Sequence, residues 1–173
     1  MTSNLFYNTG IQPEKILDQL YLESQVEKNY YWSPAVPPVF RCDVSPFLKS
    51  FFTKFINVPI SDAGFLKNFP KSQYPTHKDT FRIVALNMLM VEPNENFITS
   101  VYEINLREKK FNQHVVNYVK NQFTILNVSE PHSVMNKTTN SHRIMLSIGI
   151  KTHTYTELMD LHSKNKLFNT DIS

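Results

Sequence analysis

The chain has 173 residues, of which 41% are hydrophobic and 13% aromatic, and a formal net charge of +3. That length suits one domain, 1–173, with a sizeable buried core, and the apolar content excludes a disordered chain. Lys and Arg are scattered among Glu and Asp, so no nucleic-acid surface is expected, and the longest apolar run, Ile83 to Met90, is broken by Asn87 and too short for a membrane span.

The start, Met1-Thr2-Ser3-Asn4, has no basic segment leading into an apolar one, and the lone cysteine, Cys42, cannot form an internal disulfide. The expected location is the reducing cytoplasm. None of the three glycines falls in a phosphate-cradling pattern.

The N-terminal third reads as helical. Pro13 stands where a first turn accepts proline, and Ile16, Leu17, Leu20 and Val26 follow at near-helical spacing, predicting a helix over about 13–28. Tyr30, Tyr31 and Trp32 lead into Ser33-Pro34 and Pro37-Pro38, an extended connection. Ser45-Pro46 reads as an N-cap and first turn, with Phe47, Leu48, Phe51, Phe52 and Phe55 forming the core stripe of a helix over about 46–56.

From residue 72 the pattern turns to β. Strands are expected at 74–77, 81–91, 97–104, 114–119, 122–128, 133–135 and 143–151, separated by turn formers such as Pro93-Asn94-Glu95-Asn96 and Asn136-Lys137-Thr138-Thr139-Asn140. Arg107-Glu108-Lys109-Lys110 reads as a solvated charge run. Thr154 with Glu157 forms a capping-box pattern that opens a last helix through about Ser163. The expected architecture is α+β, mainly β: a jelly roll over 71–153, N-terminal helices of 1–70 packed on one sheet, and a C-terminal helix and tail over 154–173.

Two imidazoles and a carboxylate are a ligand set for iron(II) that leaves coordination positions open. His77 and Asp79, two apart on an expected strand, can face one point, and His132 follows after several strands have had room to fold back. Arg143 opens the pattern Ile144-Met145-Leu146-Ser147-Ile148, in which Arg143, Met145 and Ser147 share one face. An inward guanidinium there needs an anion, which a dicarboxylate cosubstrate supplies in bidentate geometry. The remaining histidines, His114, His142, His153 and His162, read as structural or surface groups.

His77-x-Asp79, His132 and Arg143 together resemble the motif of iron(II)- and 2-oxoglutarate-dependent oxygenases, whose core is a double-stranded β-helix. His77 through Arg82, Ala85-Leu86-Asn87, Leu126-Asn127, Pro131-His132-Ser133-Val134 and Arg143-Ile144-x-Leu146-Ser147 further resemble small, phage-type members related to the aspartyl/asparaginyl β-hydroxylases and the prolyl hydroxylases. The resemblance covers about residues 72–151. It implies that His77, Asp79 and His132 bind Fe(II), that Arg143 binds the distal carboxylate of 2-oxoglutarate with help from Ser147, and that Asn87 lines the cosubstrate pocket. It also implies oxidative decarboxylation of 2-oxoglutarate coupled to hydroxylation of an amino-acid side chain in a protein, peptide or free amino acid, with ascorbate as a reductant. Asp79 departs from those β-hydroxylases that lack the carboxylate ligand. Two other readings share the fold: a non-catalytic jelly-roll module, such as a viral structural protein keeping a metal-site remnant, and a cupin-type enzyme without 2-oxoglutarate.

Overall fold

The N-terminal segment is helical only where its apolar spacing persists. Instead of one helix over 13–28 there are a 3-10 turn at Glu14–Ile16, a helix α1 at Leu17–Ser24, and a second 3-10 turn at Glu27–Asn29. Pro13, at φ −87° and ψ 68°, and β-branched Val26, at φ −78° and ψ 88°, both lie outside the helical region and delimit these pieces. Near the end of α1 the Glu23 carboxylate accepts hydrogen bonds from the Ser45 N–H (3.1 Å) and hydroxyl (2.6 Å). Ser45 in turn caps helix α2 (Pro46–Phe55), accepting from the Leu48 N–H at 3.3 Å, with Pro46 in the first turn as its sequence requires.

Residues 5–32, 39–91, 97–105, 110–137 and 140–172 are described by the computed structural model. The Ser33-Pro34 and Pro37-Pro38 connection, the turn Pro93-Asn94-Glu95-Asn96, Thr138-Thr139 and Arg107-Glu108-Lys109 lie outside the described residues.

The strands are β1 (Phe6–Asn8), β2 (Tyr31–Trp32), β3 (Val39–Asp43), β4 (Asp62–Asn68), β5 (Ser72–His77), β6 (Val84–Val91), β7 (Phe97–Asn105), β8 (Lys110–Val115), β9 (Phe123–Asn127), β10 (His132–Asn136) and β11 (Arg143–Ile150). Among the described residues they form two antiparallel sheets, ordered β1-β9-β6-β11-β4-β3-β2 and β5-β10-β7-β8. The other expected strands from 72 onward are present, but the one expected over 114–119 is displaced: β8 ends at Val115, because Lys110–Gln113 pair with Tyr102–Asn105, and 116–119 are not in a strand.

The segment 1–70 is more than a helical buttress, for it also supplies β1 to β4 of the larger sheet. β4 reads Asp-Ala-Gly-Phe-Leu-Lys-Asn, poor in strand formers; pairing on both sides, with β11 and β3, makes it a strand despite its composition.

Alternation along β11 sorts the molecule into layers. Ile144, Leu146 and Ile148 point to the helical side and join Leu20 of α1, Leu48, Phe52 and Phe55 of α2, and Leu158 of helix α3 (Tyr155–Ser163) in the main core. Phe55 and Phe123 stack obliquely with Phe168, at centroid distances of 5.4 and 5.6 Å. Each such fully buried ring contributes about 2–3 kcal/mol by burial. Phe47, assigned to the same stripe by sequence, is 61% exposed. The Thr154–Glu157 capping box that opens α3 is present in both halves. The opposite face of the larger sheet looks across a cavity to the smaller one.

Candidate active site

The cavity between the sheets has a volume of about 120 Å³ and is lined by His77, Asp79, His132, Arg143, Asn87 and Ser147, among others, so all six sequence-predicted site residues meet there. His77 ends β5 and His132 begins β10, and the two are direct partners in the antiparallel register, with a β-bulge just beyond. Their ring centroids lie 4.1 Å apart. Asp79 is not on the strand with His77, as its spacing suggested. It sits in the loop after β5, where its N–H donates to the Val128 carbonyl at 3.0 Å and brings the carboxylate back under the two rings.

Each imidazole is oriented from behind. His77 Nδ1 lies 2.9 Å from the Pro75 carbonyl and His132 Nδ1 lies 3.0 Å from the Glu130 carbonyl. A carbonyl can only accept, so both Nδ1 atoms carry a proton and each ring turns its Nε2 to the cavity. Those Nε2 atoms face Asp79 Oδ1 at 3.4 and 3.7 Å, and one candidate ligand atom from each of the three residues falls within 4.8 Å of the others.

Electrostatics keep Asp79 ionised and His132 neutral, the forms in which each can bind a metal. Burial alone would raise the Asp79 carboxyl, but the hydrogen bond with His77, the charge and hydrogen bond of Arg82, and His132 together hold it well below the usual carboxylate range. Burial, reinforced by His77, pushes the His132 imidazole down to about 4 against the pull of Asp79, leaving it neutral near pH 7. Two imidazole nitrogens and one carboxylate oxygen on one side of an open cavity fit iron(II) with positions left free.

Arg143 is 3% exposed. Its guanidinium donates to Thr99 Oγ1 at 3.0 Å and to Asn68 Oδ1 at 3.4 Å, and it lies over the rings of Phe97 and Tyr118 at 4.9 and 5.4 Å. Its Nε has no hydrogen-bond partner, and it makes no ion pair among the described residues. Burial accordingly depresses its pKa, with Tyr118 opposing. A buried cation with only neutral partners is costly by several kcal/mol, so this pocket end suits an anion.

Ser147 shares the face of Arg143 and lines the cavity, but its hydroxyl accepts from Arg82 Nη1 at 2.8 Å and donates to Asn87 Oδ1 at 2.7 Å. Asn87 Nδ2 reaches the Tyr118 hydroxyl at 3.4 Å. Sequence reasoning passed over Arg82, Tyr118, Thr99 and Asn68. Only the parity rule could have flagged Asn68, which pairs with Arg143 across β4 and β11.

The groups set aside stay apart from this cluster. His142 packs edge-on against Phe69 at 4.9 Å, His162 lies 5.4 Å from Tyr7, and buried Cys42 has its thiol pushed up chiefly by burial. No other metal-ligand cluster occurs among the described residues. No helix among them is long and apolar enough to cross a membrane.

No family model matches the sequence, and no curated protein matches it. Solved structures do match. A prolyl-4-hydroxylase from Pseudomonas putida has a TM-score of 0.58 at 13% identity, over 84% of this chain and 91% of that one. HygX from Streptomyces hygroscopicus, with nickel and 2-oxoglutarate bound, has a TM-score of 0.56 at 12% identity, over 87% and 84%. SnoN, a non-heme α-ketoglutarate-dependent epimerase from nogalamycin biosynthesis, has a TM-score of 0.59 at 10% identity, over 84% and 77%. The chain thus has the double-stranded β-helix fold of the 2-oxoglutarate- and iron(II)-dependent oxygenases.

Proposed function

We propose that this protein, working as one domain, is an iron(II)- and 2-oxoglutarate-dependent dioxygenase that hydroxylates an amino-acid side chain in a protein, peptide or free amino acid. The observation that carries the reading is the pairing, in one cavity, of the His77–Asp79–His132 cluster with a buried guanidinium, Arg143, that lacks an anionic partner. Iron bound by such a triad supplies the oxidative chemistry, in which 2-oxoglutarate, O2 and a C–H bond give succinate, CO2 and a C–OH bond.

The chain's own residues do the rest. His77, Asp79 and His132 hold the metal through Nε2, Oδ1 and Nε2. Arg143 and Thr99 hold the distal carboxylate of the cosubstrate, while Ser147 and Asn87 form the polar floor beside it. The prime substrate reaches the site through a wider groove of about 430 Å³ that shares His77, Asp79 and Arg82 with the inner cavity and is rimmed by Lys78, Phe81 and Lys151. Phe81 is 73% exposed, a ready contact for a side chain or peptide. Amino-acid hydroxylation is supported by the prolyl-4-hydroxylase among the neighbours. A free, buried Cys42 suits a reducing cytoplasm.

The test is direct. Purified protein with Fe(II), ascorbate and 2-oxoglutarate should release succinate slowly without prime substrate, and His132→Ala should reduce this to background. Succinate at the mutant's level, together with no heat of 2-oxoglutarate binding, would favour a non-catalytic jelly roll instead.

A further inference from the structure

Arg82 is neither a metal ligand nor a cosubstrate contact in the reading above, yet its guanidinium is committed in two directions. Nε donates to Asp79 Oδ2 at 2.5 Å and Nη1 donates to Ser147 Oγ at 2.8 Å. Ser147 donates onward to Asn87 Oδ1 at 2.7 Å, and those two residues are direct partners in the register of β6 and β11. A planar fork is therefore anchored at one end in a buried strand and at the other on a carboxylate.

That carboxylate needs an anchor. Asp79 lies beyond the end of β5, so no strand pairing fixes its side chain, and its backbone is held by the N–H to Val128. Its two oxygens are unequal in consequence. Oδ2 is occupied by Arg82, and Oδ1 alone is turned toward His77 and His132.

Resting on the metal-site reading, we propose that Arg82 is a positioning residue that fixes Asp79 as a one-oxygen ligand, with Ser147 and Asn87 as the rigid mount. With Oδ2 tied to Arg82, the carboxylate cannot chelate the ion through both oxygens, and a further coordination position stays open for cosubstrate and oxygen. The role depends on directed N–H groups and not on charge alone. Lysine would keep the positive charge but cannot serve Asp79 and Ser147 together in a fixed plane.

Mn(II) binding to the metal-free protein, without 2-oxoglutarate or prime substrate, tests this, together with the visible d–d spectrum of the Co(II)-loaded protein. Arg82→Lys should weaken Mn(II) by about tenfold or more and change the cobalt band intensity, and Ser147→Ala should shift both in the same direction. Mn(II) affinity within about twofold of wild type in both variants, well short of the usual outer-shell effect, with an unchanged cobalt spectrum, overturns the proposal. Should Arg82→Lys fail to fold, Ser147→Ala alone decides. His132→Ala separates the two levels: if it too binds Mn(II) like wild type, the metal site itself is refuted. If it alone loses the ion, only the role of Arg82 falls.

Discussion

Replacing Arg143 by Met should separate ligand binding from stability. In the ligand-free protein, loss of the guanidinium relieves a desolvation cost of several kcal/mol. Against this stand two hydrogen bonds, to Thr99 and Asn68, worth about 1 kcal/mol each, and two ring contacts worth about 0.5–1 kcal/mol each. These nearly cancel, so the ligand-free variant should unfold within about 2 kcal/mol of wild type, a change of about 4–8 °C in Tm at most for a chain of this size. Cosubstrate binding should behave differently. Removing one partner of a buried charge pair costs about 2–5 kcal/mol, or about 30- to 5000-fold in Kd. Thermal melts with Mn(II) in place of iron show this without turnover. At 2-oxoglutarate concentrations near 100 times its Kd, wild type should gain about 2.7 kcal/mol, and Arg143→Met should gain little under the same conditions. Equal stabilisation of both proteins by 2-oxoglutarate refutes the assignment of Arg143 as the anion site. A ligand-free variant destabilised by about 4 kcal/mol or more shows instead that the guanidinium serves the fold.

The pH dependence of ligand-free stability follows from His132. Its pKa falls from an ordinary 6.5 to about 4 on folding, so the fold favours the neutral ring. Its contribution is complete above about pH 6.5 and is lost as the pH falls toward 4. By pH 4.5 that loss is about 2.5 kcal/mol, and the depressed Asp79 carboxyl acts in the same direction at lower pH. Urea midpoints between pH 7 and 4.5 should drop more steeply in wild type than in His132→Gln, and parallel profiles contradict this. Phe52→Ala, at a fully buried position packed on Phe51 and Phe123, should cost about 3–5 kcal/mol. Chemical denaturation measures it, and a loss under about 1 kcal/mol would mean that the helical layer is loosely packed on the sheet.

The site was readable where periodicity governs and hidden where contacts between distant segments do. β11 shows its two faces in sequence because alternation puts Arg143, Met145 and Ser147 on one side and a run of aliphatic residues on the other. α2 and α3 announce themselves through Ser45-Pro46 and the Thr154–Glu157 box, local signals that need no partner. β4 gives no such signal. Its Asp, Gly and Asn read as turn formers, and only the strands on either side make it extended. Gly64 there is required by closeness: a Cβ would lie 2.9 Å from the Cys42 carbonyl and 3.2 Å from the Arg41 guanidinium. Likewise the convergence of His77 and Asp79 was anticipated for a different reason, strand alternation, whereas a loop pinned to Val128 achieves it. The partner of Arg82 across 65 residues, Ser147, left no trace in local spacing.

Among the described residues β5 is an edge strand, bonded to β10 alone, and Pro75 within it carries no N–H to extend the sheet outward. An ion held by His77 and His132, as proposed, would join this strand to its neighbour at the end where their pairing stops. It would act as a rivet at the margin of the smaller sheet. Iron loading and the fastening of residues 72–79 would then be one equilibrium, and starvation for the metal would loosen the wall of the very chamber that receives it.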